Sequence, residues 1–229
     1  MFCSKCGTEN PDSASACVKC GTPIAGHHTS SAHTSGHTAD TVKGAGKDAL
    51  EALKIFAANP VPGLPKAFKH LGPARALGAG IGFGVVTALC FVAWVYLFFR
   101  GFGAPSGVGT FLKILLWAVV PFASLVGGCF GARLVFSGKG AISHDCFIAG
   151  ASLLPIGALA LLAGILGASN MQAVSFIAPF AFCTAVLLLF SGCVRILYMT
   201  ERAATIAVPI MIIISYWLSE TIYKALMRM

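Results

Sequence analysis

Four cysteines near the start of the chain are the residues whose types and spacing most clearly predict chemistry. Cys3 and Cys6 form one CxxC pair, Cys17 and Cys20 form a second, and a glycine follows each pair. Each pair can fold into a tight turn that brings two thiolates to one metal ion, and two such turns complete a tetrahedral site. Zinc accepts four thiolates, and a closed coordination shell leaves no position for a substrate. The spacing therefore predicts one structural zinc ion held by these four cysteines.

The alternatives to zinc are a disulfide pair, a redox CxxC and an iron centre. Disulfides require an oxidising compartment, whereas the distribution of Lys and Arg along the chain places this end in the cytosol. A thioredoxin-like site requires a βαβ unit, for which residues 1–24 are too few. Because a segment this short buries too little apolar surface to fold alone, we expect metal binding to supply the free energy of folding. We interpret residues 1–24 as a zinc ribbon.

The composition of the rest of the chain indicates a membrane protein. Of 229 residues, 57% are hydrophobic and only 10% are charged, and the mean hydropathy is +0.83. A soluble domain of this size needs a more polar surface. Residues 1–48 are polar, whereas long uncharged stretches begin at Ala76. The two regions are therefore expected to lie in different solvents.

Five stretches are long and apolar enough to cross a hydrocarbon core of about 30 Å, which takes roughly 20 helical residues. They are 76–99, 114–132, 146–168, 171–194 and 203–219. The third and fourth form one uncharged run that must turn near 167–170, which predicts a tight helical hairpin. We therefore predict an all-α polytopic membrane protein with about five transmembrane helices in 76–229, preceded by a small N-terminal zinc ribbon.

The Lys and Arg residues predict the orientation. With the amino terminus inside, the inner segments hold twelve of the sixteen and the outer segments hold four. Basic flanks stay cytoplasmic. No cleavable signal peptide is expected, because the first 25 residues lack a basic start and an apolar core. The predicted location is the bacterial cytoplasmic (inner) membrane, multi-pass, with the amino terminus in the cytoplasm.

Between ribbon and membrane, residues 25–47 are rich in Gly, Ser, Thr and His and predict a flexible linker. A His-rich tract can bind a transition metal, but irregular spacing favours a solvated linker here. The histidines concerned are His27, His28, His33 and His37. Residues 48–75 predict amphipathic juxtamembrane helices, interrupted at 59–63. Two alternatives stay open for them: they lie in the membrane interface, or they form a connector packed on the bundle.

Small residues and prolines recur within the predicted spans. Gly80 and Gly84 lie one turn apart on the first span, as do Gly127 and Gly131 on the second, and such pairs let helices approach closely. We place Val85 and Val92 on the lipid-facing side of the first span. Each of the last four spans holds one proline, which implies a packed bundle that re-satisfies the freed backbone groups. These prolines are Pro121, Pro155, Pro179 and Pro209.

No catalytic constellation is visible, so we predict that the protein is not an enzyme. The sequence lacks paired carboxylates, a nucleophile with a base and a phosphate loop. Asp145 beside His144 is the one pair to consider, and we interpret both as interfacial loop residues. Nucleic acid is an unlikely partner, because the basic residues are dispersed among few aromatics.

At its amino end the chain resembles the bacterial zinc-ribbon family. The resemblance rests on Met1, a CxxCG pattern at 3–7, an Asn-Pro turn at 10–11 and a second CxxCG at 17–21. It implies a bound metal.

From the third predicted span onward, the chain is similar to the Yip family of five-span membrane proteins. The resemblance rests on Ser143-His144-Asp145, Leu154-Pro155, Ser191-Gly192, Tyr198 and Glu201-Arg202-Ala203. It implies the roles of that family, which are membrane trafficking and organisation in eukaryotes and are mostly unassigned in bacteria.

The first functional hypothesis is a membrane adaptor whose zinc ribbon recruits a cytosolic protein while the bundle anchors it in the lipid bilayer. The glycine-rich helix faces would contact a second copy or another membrane protein. A transporter or channel component is the alternative, because spans broken by proline and glycine are common in transport proteins.

Overall fold

The computed structural model describes residues 8, 19–20, 50–55, 59–99, 107–167 and 170–228. The chain divides into two units, Met1–Thr38 and Ala39–Met229, and every helix in the described residues belongs to the second. The predicted linker 25–47 and most of the predicted ribbon lie outside the described residues.

Six helices follow one another in the described part of the second unit. They are α1 (residues 50–55), α2 (Pro60–Phe99), α3 (Val108–Val135), α4 (Ile142–Leu166), α5 (Met171–Arg195) and α6 (Glu201–Arg228). The described residues contain no strand, so the predicted all-α class is confirmed. Helices α2 to α6 are long and apolar enough to cross a membrane, which confirms the predicted number of five. At about 1.5 Å per residue, even a 25-residue helix such as α4 spans about 37 Å.

The helices are longer than the apolar stretches from which they were predicted. Helix α3 begins at Val108, before Lys113, and α6 continues past Lys224 to Arg228. A hydropathy criterion stops at charged residues, whereas helical hydrogen bonding continues into the interface, where head groups and water accommodate charge. In α6 the Lys224 ammonium lies 2.6 Å from the Glu220 carboxylate one turn earlier. Helix α4 ends at Leu166 with Gly167 as its carboxyl-terminal cap, and α5 begins at Met171, so the helix break predicted between the third and fourth spans is present.

Helix α2 is broken at Gly72, which has φ 70° and ψ 166°. Its first part begins at Pro60, where the fixed φ of proline suits the first helical position. In that first part, Leu64 and Ala67 are fully buried, and the Ser191 hydroxyl donates a hydrogen bond to the Val61 carbonyl at 2.8 Å. These contacts are those of a connector helix packed on the bundle.

Helix α4 is the centre of the bundle. Its most apolar window is 56% buried, whereas the corresponding windows of the other four long helices are between 17% and 28% buried. It packs against α2, α3 and α5, and its contact with α2 is the most extensive in the structure. The main core, which includes Phe147, Ile148 and Leu188, therefore lies around α4.

A seven-residue repeat of glycines joins α4 to α2 along their length. A Cβ at each of three α4 glycines would lie within 3.1 Å of the α2 backbone or clash with it. The contacts are Gly150 with the Gly80 carbonyl, Gly157 with the Thr87 Cα and Gly164 with the Trp94 Cα. Because both sets of positions increase together in steps of seven, the two helices run parallel with a coiled-coil-like register.

The glycines of the first span pack inside the chain. A Cβ at Gly80 would lie 2.6 Å from the Cys146 carbonyl, and one at Gly84 would lie 2.7 Å from the Phe122 ring. Val85 is exposed, as expected of a lipid-facing residue, but Val92 is only 7% exposed. The placement of Val92 toward lipid was wrong, because it joins a second apolar cluster between α2 and α3 that includes Ile114.

Candidate functional site

The predicted metal ligands lie almost entirely outside the described residues. Cys3, Cys6 and Cys17 are not described, whereas Cys20 follows Lys19 in a turn and its side chain is exposed. The donor set itself fits zinc, since two CxxC pairs supply four thiolates. Zinc bound by these four cysteines would hold the fold of the ribbon and leave no open coordination position.

A buried ion pair joins the end of α3 to the start of α4. An amino group of the Arg133 guanidinium lies 3.0 Å from the Asp145 carboxylate. The Asp145 side chain is fully buried and that of Arg133 is 15% exposed. The interpretation of Asp145 and His144 as loop residues was wrong, because both lie in the first turn of α4.

The placement of this pair follows from the helix dipoles. Asp145 lies at the positive amino end of α4, and Arg133 lies at the negative carboxyl end of α3. The Arg133 guanidinium also donates a hydrogen bond to the Gly140 carbonyl at 2.9 Å, so the short α3–α4 connection is tied to the pair. Within the described residues, Arg133 Nε and Asp145 Oδ1 have no hydrogen-bond partner. The Arg133 guanidinium therefore offsets the charge of the buried Asp145 carboxylate through one of its two oxygens.

His144 caps the amino end of α4. The Ala141 amide donates a hydrogen bond to His144 Nδ1 at 3.1 Å, and the Phe68 and His144 ring centroids lie 4.6 Å apart. His144 therefore links the first part of α2 to the start of α4.

An apolar cavity of about 280 Å³ lies among α3, α4, α5 and α6, and one aromatic side chain of α2 also lines it. Its lining contains no charged side chain, and the polar side-chain groups are hydroxyls, such as those of Ser152 and Ser215, and the indole N–H of Trp117. Ser215 shares a hydrogen bond of 2.6 Å with Ser124, and the Trp117 indole donates to the Ser219 carbonyl at 3.2 Å. These bonds tie α3 to α6, whereas α5 and α6 make the least contact of the neighbouring helix pairs.

The second glycine pair differs from the first. A Cβ at Gly127 or Gly131 would meet nothing within 4 Å. Gly127 is exposed, so this face of α3 is open. The sequence prediction gave both glycine pairs the same role in helix packing, but only the first pair packs against other helices of the same chain.

Three features of the structure were not predicted from the sequence. The seven-residue spacing of Gly150, Gly157 and Gly164 is visible in the sequence and would have marked α4 as the central helix. The Gly-Pro dipeptide at 72–73 would have indicated the break in α2. The pairing of Asp145 with Arg133 has no comparable signal, because it depends on how α3 and α4 align.

Comparisons with known proteins bear on the amino end of the chain. Residues 2–24 match the family model of a zinc-ribbon domain. Neither the curated proteins nor the solved structures yielded a match. The chain is therefore a membrane-spanning helical protein with a zinc-ribbon domain at its amino end.

Proposed function

We propose that the protein is a non-enzymatic membrane adaptor, in which the zinc ribbon recruits a protein partner and the helical bundle holds it at the membrane. The observation that carries this proposal is the zinc-ribbon match at residues 2–24 ahead of five helices that can cross a membrane. A four-thiolate zinc site has no open position for catalysis, so its use is to present a folded surface.

The acidic residues of the helical bundle give no sign of a catalytic site, which supports the same proposal. The buried Asp145 is paired with Arg133. Of the other described acidic residues, Glu220 pairs with Lys224, whereas Glu51 and Glu201 are exposed. None of the described acidic residues lines the apolar cavity, so none is in position for acid–base catalysis on a molecule bound there.

We further propose that the amino terminus lies in the cytoplasm of a bacterium and that the bundle crosses the inner membrane. The support is the division of Lys and Arg, twelve on the proposed inner side and four on the outer. A Yip-like relationship of the bundle belongs to the same proposal, with the role in membrane organisation that it implies.

Affinity capture from membranes tests the adaptor function. The full chain is compared with a Cys6→Ser variant, which removes one zinc ligand, and with Cys183→Ser, which removes an exposed cysteine of α5 outside the ribbon. We expect the same specific partner with the parent and with Cys183→Ser and its loss with Cys6→Ser. Equal recovery from all three would contradict recruitment through the ribbon.

The apolar cavity supports a second candidate, a transporter or channel component. Pro121 lies within α3 and lines the cavity, and a proline frees a backbone carbonyl that a substrate could contact. A lining without charges suits an apolar substrate better than an ion. Uptake of a labelled apolar solute by vesicles containing the purified protein would favour this candidate, and uptake equal to that of empty vesicles would exclude it for that solute.

A further inference from the structure

A basic cleft of about 220 Å³ lies where the first part of α2 meets the start of α4 and the end of α5. Its polar and turn-forming residues are Lys69, Gly72, His144, Arg195 and Tyr198, and we call this set the basic cleft. The remaining lining is apolar and includes Phe68. The cleft shares no lining residue with the apolar cavity.

The two charged side chains of the basic cleft, Lys69 and Arg195, are exposed, and neither has an ion-pair partner among the described residues. No acidic side chain of the described part of the chain lines the cleft. The nearest acidic residue in sequence to His144, Asp145, is already engaged by Arg133. An ammonium and a guanidinium that share one concave site suit a phosphate group, which accepts several charge-assisted hydrogen bonds.

Two residues that line the basic cleft have a positive φ. Tyr198 has φ 55°, an uncommon value for a residue other than glycine, and Gly72 has φ 70°. The α5–α6 connection that carries Tyr198 is fixed by a hydrogen bond from the Met199 amide to the Cys193 carbonyl at 3.1 Å. The Lys139 amide also donates to the Leu197 carbonyl at 2.7 Å. A left-handed non-glycine residue held by its surroundings is found more often at binding sites than elsewhere.

The position of the basic cleft indicates where its ligand comes from. Arg195 is the last residue of α5, and α4 begins at Ile142, so the cleft lies at the ends of membrane-crossing helices. Phospholipid phosphates lie at this depth, and basic pockets between helices bind anionic head groups. We propose that the basic cleft binds the phosphate group of an anionic phospholipid, with Lys69 and Arg195 as its charged contacts.

Lipid-dependent thermal stability of the full chain tests this assignment. The purified protein in detergent is titrated with phosphatidylglycerol and, separately, with phosphatidylcholine, and the melting temperature is followed. A ligand that binds only the folded state raises the melting temperature. We expect phosphatidylglycerol to do so at lower concentration than phosphatidylcholine. In Lys69→Gln/Arg195→Gln the concentration required should rise about ten-fold or more, because two charge-assisted contacts are lost.

A matched control separates the cleft from general surface charge. Lys66→Gln/Arg202→Gln removes two exposed basic residues of α2 and α6 that do not line the cleft. Retention of the phosphatidylglycerol effect in this variant supports the proposal, whereas equal losses in both double variants would overturn it. If Lys69→Gln/Arg195→Gln does not fold, Lys69→Gln alone provides the comparison, because this side chain is exposed.

Inorganic phosphate forms the last arm of the experiment. It carries the same chemistry without an acyl chain. If phosphate alone raises the melting temperature and prevents the effect of phosphatidylglycerol, the cleft is a site for a free phosphate compound and the lipid assignment is wrong. If the two lipids act equally on the parent, the cleft does not recognise an anionic head group.

Discussion

The two sides of α4 are packed in different ways. On one side, α4 meets α2 through three glycines: an added Cβ would clash with the α2 backbone at Gly150 and would lie only 3.1 Å and 3.0 Å from it at Gly157 and Gly164. On the other, α4 borders the apolar cavity of about 280 Å³ that it shares with α3, α5 and α6. The same helix therefore makes a close backbone contact on one side and borders a cavity on the other.

The difference shows how a helical bundle in lipid separates rigidity from adaptability. Helices in a bilayer gain little from burying apolar side chains, so close backbone approach through glycine is a main source of association. The α2–α4 contact is of this kind, because three glycines of α4 lie against the α2 backbone. The cavity side relies on a few hydrogen bonds, such as Ser124 with Ser215, and leaves room for movement or for a guest.

The largest effect is expected outside both sides, at the Arg133–Asp145 pair at the amino end of α4. Arg133→Ala would leave the fully buried Asp145 carboxylate without its partner and lower the free energy of unfolding by about 4 kcal/mol. Thermal melting in detergent measures this loss. The double variant Arg133→Met/Asp145→Leu should recover much of it, and a double variant less stable than Arg133→Ala would contradict the charge argument.

Gly150→Leu should destabilise the closely packed side by about 3 kcal/mol, because its side chain would clash with the immobile Gly80 backbone. Reaction of the buried Cys129 and Cys193 with a thiol-reactive dye during heating reports the unfolding. A melting curve equal to that of the parent would mean that α2 and α4 are not in close contact.

Ala185→Leu probes the cavity side with a similar increase in volume. Ala185 is buried and lines the cavity, so the added carbons should occupy free space and raise the free energy of unfolding by about 1 kcal/mol. The same melting assay gives the comparison. A loss as large as that of Gly150→Leu would show that the cavity side is packed as tightly as the α2–α4 contact.

Gly127→Leu should change the stability less than the substitutions on either side of α4. A side chain there meets nothing within 4 Å, so the stability should change by less than about 0.5 kcal/mol. Size-exclusion chromatography of the same variant also tests whether this face joins two copies. A change of elution volume without a change of melting temperature would show that the open face of α3 is covered by another chain.

The smallest effect on the bundle is expected from loss of the metal. Metal analysis should find one zinc per chain in the parent and none in Cys6→Ser, because the four cysteines lie in a separate unit from the helices. The melting of the bundle should not change. Stoichiometric iron, or zinc retained by the variant, would contradict the predicted centre.

What the sequence could predict depended on the range of the interactions involved. Hydropathy is a local property, and it identified all five long helices. Several helix ends lie beyond the first charged residue, so the predicted stretches were too short: α3 begins at Val108 and α6 ends at Arg228. The zinc-ribbon prediction was also local, since its motif lies within residues 2–24, which match the family model.

The packing could not be predicted in the same way. Gly80 and Gly127 both belong to glycine pairs one turn apart, yet only Gly80 faces another helix. Which face of a helix meets a neighbour depends on the rotation of every helix in the bundle, and a uniformly apolar helix carries little information on that rotation. The burial of Asp145 was missed for the same reason, because its partner lies on another helix.

The glycine register between α2 and α4 also has a consequence for synthesis. Gly80 and Gly150, Thr87 and Gly157, and Trp94 and Gly164 are each separated by 70 positions. At about 5–20 residues per second, α2 must wait roughly 4 to 14 seconds in the membrane before its partner has been made. During that interval α3 can pack beside Gly84, but the face of α2 around Gly80 lacks its α4 partner and must be covered by lipid or an insertion factor. A ribosome that stalls between α3 and α4 would therefore leave a chain that a membrane protease can distinguish from the finished protein.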